Sequence, residues 1–131
     1  MGVDFYRMRQ LMRQLQADER NVVMAFDRAT HITQSFSDMP HGSGITDKVG
    51  RGAIDLEEAK RVRDETLREL DVMRRELSPL LTALAENEQT IMRARYIDGD
   101  SPFSIAIHHH MSERNVFYLL HKGESHVEQQ T

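Results

Sequence analysis

The chain contains no cysteine and no tryptophan among its 131 residues, and only 3 prolines. Without cysteine there are neither disulfides nor thiolate metal sites. Aromatic residues make up 6% of the chain, and runs of β-branched and aromatic residues are few, which leaves little material for a β-sheet. No apolar run approaches the ~20 residues that span a bilayer. The opening MGVDFYRMRQLMRQL sets charges among its apolar positions, unlike the uninterrupted core of a signal peptide. A soluble, cytoplasmic protein with no membrane partner is expected. The formal net charge of -4 argues against a general polyanion binder. A reader of DNA with this balance has to gather its few cations on one face.

What is present is Arg, Glu, Leu, Met and Gln, all good helix formers, so the expected fold class is all-α. The first segment places Phe5, Met8, Met12, Leu15, Glu19, Val22, Phe26 and Ala29 at steps alternating between three and four, with Leu11 and Val23 widening the stripe. That is the spacing of a coiled-coil seam and predicts one amphipathic helix over 4–31. Residues 33–52 hold Pro40, Gly42, Gly44, Gly50 and Gly52 among Ser and Asp, and read as a Gly-rich connector. A second seam runs through Leu56, Ala59, Arg63, Thr66, Leu70, Met73, Leu77, Leu80 and Leu84, with charges of both signs on its outer sides, as on a solvated helix face. Ser78-Pro79 calls for a kink, or for a new helix with Ser78 as cap. Two seamed helices can bury their stripes against each other or between chains. For 1–85 we expect a long antiparallel, coiled-coil-like hairpin that also makes the protein a homodimer.

From Glu86 the pattern changes, and 86–123 reads as three short helices. The first, 87–97, carries Ile91, Ala94 and Ile97, with Gly99 as its left-handed end. Ser101 caps a second helix with Pro102 at its first position, and Phe103, Ile105, Ala106 and Ile107 supply the apolar face. After a turn at Met111, Ser112 caps a third helix, 113–122, with Val116, Leu119 and Leu120 inward, closed by Lys122 and Gly123. Small Ala106, apolar Met111 and β-branched Val116 fall where a helix-turn-helix needs them. His110 holds the turn position that is often glycine, and histidine is among the residues enriched at positive φ. Residues 124–131 are expected to be a tail.

The run RYIDGDSPFSIAIHHHMSERNVFYLLHKG, 95–123, resembles region 4 of bacterial sigma factors, and looks most like small phage-encoded regulators of the ArpU and RinA type. The features that carry the resemblance are Arg95 and Tyr96 with Gly99 ahead of the motif, and Ser112, Arg114 and Val116 at the start of the recognition helix. The His108-His109-His110 run and the Leu120-His121 pair depart from it. The resemblance implies control of phage late or packaging genes, in the host cytoplasm, by binding double-stranded promoter DNA, with RNA polymerase as a further partner.

If helix 113–122 enters a major groove, the DNA-binding residues are Ser112, Glu113, Arg114, Asn115, Phe117, Tyr118, His121 and Lys122. Arg114 suits guanine O6 and N7, Asn115 suits adenine, and Glu113 suits cytosine N4 or simply the helix dipole. Tyr118 suits a phosphate or a thymine methyl, while Ser112, Lys122, Arg93 and Arg95 suit phosphates. The bland alternatives are a solvated Arg114, and Phe117 and Tyr118 as core or oligomer contacts. The histidine triplet lacks metal-ligand spacing and is read as an exposed helix end. No cofactor and no enzymatic activity are expected, because no nucleophile–base pair, phosphate loop or carboxylate pocket emerges. Two rivals remain: a small terminase subunit that binds packaging-site DNA, and a protein-binding adaptor that contacts polymerase or a repressor.

Overall fold

A computed structural model describes residues 2–38 and 43–130, with side chains described over 2–30 and 56–130. The fold is all-helical, with no strand among the described residues. Helix α1 spans Phe5–Asp38 and α2 spans Ser43–Leu81, and the two form the antiparallel hairpin. They are followed by α3, Glu86–Met92, which continues as a π-helical segment, Arg93–Ile97. Helices α4, Pro102–His108, and α5, Glu113–Gln130, complete the chain. None of these helices is long and apolar enough to cross a membrane. Helix takes up 33–38 and 43–52 of the span expected to be a connector, and its other residues, 39–42, lie outside the described residues.

The chain packs as two compact units, Arg13–Glu69 and Met1–Met12 with Leu70–Thr131. In the first, α1 turns Asp18 and Ala25 fully inward and Leu15, Val22 and Ala29 partly so, against a row on α2 that includes Ala59, Arg63 and Thr66. The stripe on α1 therefore differs from the expected one. Glu19 and Phe26 are exposed, and their neighbours Asp18 and Ala25 take the buried places. A straight helix drifts against a strict seven-residue repeat, so the seam can rotate by a residue. Here a hydrogen bond holds the rotated register: the Thr66 hydroxyl donates to Asp18 Oδ2 at 2.7 Å. Gln14 Nε2 donates to the other carboxylate oxygen at 2.7 Å, so the buried charge is satisfied.

The second unit was not foreseen as a single body. Its core joins Phe5, Met8, Leu11 and Met12 to Leu70, Leu77 and Leu81 and to Ile91, Met92, Ile105, Val116 and Leu119. An expected division after residue 85 is thus not where the packing divides. Short helices such as α3 and α4 cannot enclose a core alone, and the ends of the hairpin supply the missing apolar surface.

Pro79 neither starts a helix nor ends one, since α2 runs through it to Leu81. Pro79 has no amide to offer the Arg75 carbonyl, and the carbonyls of the last turn lack intrahelical partners in any helix. Two of them are served from elsewhere. Arg93 Nη2 donates to the Ser78 carbonyl at 3.4 Å, and Gln130 Nε2 to that of Leu80 at 3.2 Å.

Helix α3 widens after Met92, where Asp98 N–H reaches back five residues to the Arg93 carbonyl at 2.9 Å. Such π turns absorb one extra residue. Arg74 Nε then donates to the Tyr96 carbonyl at 2.7 Å. Gly99 ends the segment at φ 81, the left-handed geometry expected of it.

Candidate nucleic-acid interface

Ser101 Oγ accepts from the Ser104 amide at 3.1 Å, with Pro102 at the first helical position, so α4 starts where its residues dictate. Ile105 and Ala106 are buried. Phe103 and Ile107, also expected inward, are 61% and 57% exposed. Four residues apart, they share one face of α4, while Ile105 and Ala106 take the other.

The turn after α4 closes with the Met111 amide donating to the Ala106 carbonyl at 3.0 Å. His110 holds φ 54 there, as the turn requires. Ser112 Oγ accepts from the Asn115 amide at 3.1 Å and caps α5. Val116, Leu119 and Leu120 point inward. The arrangement is a helix-turn-helix, not one unbroken rod.

The outward side of α5 brings together most of the residues singled out for DNA. Glu113, Arg114, Asn115 and His121 are exposed, and Phe117 and Tyr118 are 54% and 58% exposed. Arg114 has no ion-pair partner among the described residues. Lys122 behaves differently. Its ammonium lies 3.8 Å from Glu88 Oε2 and 5.3 Å from the centre of the Tyr118 ring. It is committed to a buried carboxylate and an aromatic face, so its role as a phosphate contact is weakened. Of the other cations, Arg93 donates to Ser78 and Arg95 Nη1 to the Asp100 carbonyl. His108, His109 and His110 are all exposed. Among the described residues no three His, Cys, Asp or Glu side chains are gathered to hold a metal.

Helix α5 does not stop at Gly123, and the expected tail is helical to Gln130. Val127 is fully buried, and His126 Nδ1 lies 2.6 Å from Glu88 Oε1. Gly123 reads as a stop signal, yet its place has another cause: a Cβ there would lie 2.5 Å from Met92 Cγ. Close approach of α3 and α5 demands glycine in mid-helix.

Behind α5 lies a polar triad that sequence reasoning missed. Arg9 Nη1 donates to the Tyr96 hydroxyl at 2.9 Å and to Glu124 Oε1 at 3.1 Å, and the Tyr96 hydroxyl donates to Glu124 Oε2 at 2.7 Å. Burial and the Glu124 carboxylate push the Tyr96 hydroxyl well above its ordinary pKa, against a smaller opposing pull from Arg9. Burial opposes the charge on Arg9, but Tyr96 and Glu124 outweigh it and raise its pKa. The sequence signal was faint, because Arg9 lies 87 residues from Tyr96. The triad borders a cavity of about 280 Å³, whose wall also includes Phe117 and His121. The back of the exposed row is therefore held by a satisfied ionic network. Comparison with known proteins gave no match to a family model, a curated protein or a solved structure.

Proposed function

We propose that this chain is a sequence-specific DNA-binding regulator of transcription that reads double-stranded DNA with the N-terminal half of α5. One observation carries the reading: Arg114, without an ion-pair partner among the described residues, stands in an exposed row with Glu113, Phe117, Tyr118 and His121 on the second helix of a helix-turn-helix. An outward guanidinium on such a helix suits a guanine edge, where a bidentate pair is worth ~1–3 kcal/mol of discrimination. The resemblance of 95–123 to sigma region 4 and to phage regulators supports the same reading and suggests late or packaging genes as targets. Because the module has few free cations, a dimer, or help from RNA polymerase, would supply the missing phosphate contacts.

Selection from a pool of random duplexes tests the proposal. The wild-type chain should enrich a discrete sequence containing guanine, and Arg114→Ala, of unchanged helix content, should enrich none. Enrichment of the same sequence by both proteins would overturn the role of Arg114.

A second reading has an observation of its own. Phe103 and Ile107 on α4, with Phe117 and Tyr118 on α5, expose more apolar surface than DNA phosphates need. A protein partner such as a polymerase subunit would cover it. Binding to such a partner would be nearly insensitive to salt, whereas binding to DNA falls as salt rises.

A further inference from the structure

The compact unit Arg13–Glu69 carries an exposed apolar pair that its own packing leaves uncovered. Val23 and Met24 are 59% and 62% exposed in the middle of α1. With Arg20 and Asp27 they fall at i, i+3, i+4 and i+7, which is one stripe of a helix. At about 100° per residue, this stripe lies roughly half a turn from the buried row of Asp18, Val22 and Ala25. Arg20 and Asp27 are both exposed, and neither has an ion-pair partner among the described residues. Two helical turns apart, about 10 Å, they are too distant to pair with each other.

The stripe reads cation, apolar, apolar, anion, and it is complementary to its own reverse. A second copy laid antiparallel, with a two-fold axis between positions 23 and 24, sets Arg20 opposite Asp27 of the other copy twice over. The same operation lays Val23 on Met24 of the other copy. A parallel copy would instead set Arg20 on Arg20 and Asp27 on Asp27, two repulsive contacts. Isologous contacts of this kind are the commonest route to homodimers. We infer that the 20–27 stripe of α1 is the contact by which two copies of this chain associate, antiparallel, about an axis at Val23 and Met24. The stripe shares no residue with α5.

Because the chain lacks cysteine, single cysteines report the contact cleanly. With oxidised glutathione, Met24→Cys should form a disulfide-linked dimer rapidly. Gln16→Cys, also exposed, should not, because in the antiparallel pair its two copies are about 22 Å apart along the helices. In sedimentation equilibrium the wild-type mass should rise from 15.2 kDa towards twice that value with concentration. Arg20→Asp should hold it at the monomer, and Arg20→Asp combined with Asp27→Arg should restore the dimer. Equal cross-linking at 16 and 24, a wild type that stays monomeric, or a double variant that fails to recover would each overturn the inference. No DNA enters these measurements, so their failure is separable from failure of the DNA reading.

Discussion

Tyr96 ties the C-terminal helices to the start of α1. Its ring is fully buried, its centroid 5.0 Å from that of Phe5, and its hydroxyl links Arg9 to Glu124. A folded-state pKa raised above the ordinary value of 10.0 leaves stability intact below that pH. Above it the unfolded chain releases the proton more readily, so stability should fall as pH rises towards the folded value. Thermal melts between pH 8 and 11 should show that loss in the wild type and a flatter profile in Tyr96→Phe. The variant should also lose about 1–2 kcal/mol at neutral pH through its missing hydroxyl. Equal alkaline slopes in the two proteins would discount the triad. At Gly123, alanine would ordinarily gain ~1 kcal/mol in a helix interior. Here the new methyl would lie 2.5 Å from Cγ and 2.8 Å from Sδ of the fully buried Met92, so that side chain or the helices have to shift. Gly123→Ala should therefore lower stability by about 1–3 kcal/mol, measured by urea denaturation. These residues show where sequence reasoning stops. The caps Ser101 and Ser112, the positive φ of Gly99 and His110, and the inward Val116 were legible because each acts within four or five residues of itself. Tyr96 and Gly123 act on residues far along the chain, and nothing in their local pattern names Arg9 or Met92.

Among the elements, the hairpin was legible as two stripes, but its rotation was not. Spacing alone fits 19 and 26 as well as 18 and 25, and apolar Phe26 favoured the wrong pair. Asp18 at a buried place becomes intelligible only beside Thr66, which donates to it. Thr66→Val should leave that carboxylate short of a donor and cost about 1–3 kcal/mol. Replacing both, Asp18→Leu with Thr66→Val, should cost less than the sum of the single changes, because no polar group is left stranded. Chemical denaturation of the four proteins of this cycle measures the coupling, and strict additivity would contradict the contact. The length of α5 was misjudged for a related reason. Glycine, lysine and a polar run look like an ending, yet Val127, His126 and Gln130 find partners that only the packed chain brings near.

At the scale of the whole molecule, few positive charges face outward from α5, and the affinity for DNA should reflect that. Each phosphate neutralised contributes a slope of about -0.9 to the dependence of log affinity on log salt. With so few cations available on α5, the proposed DNA reader should neutralise few phosphates, so the expected slope is shallow but clearly negative. The most direct measurement is the affinity of the wild-type chain for its selected duplex, by fluorescence anisotropy at two salt concentrations, beside Arg114→Ala and a scrambled duplex. If α5 reads DNA through Arg114, wild-type affinity should fall with salt and prefer the selected duplex, and Arg114→Ala should bind both duplexes alike. Affinity unmoved by salt, or equal preference in the two proteins, would contradict that reading.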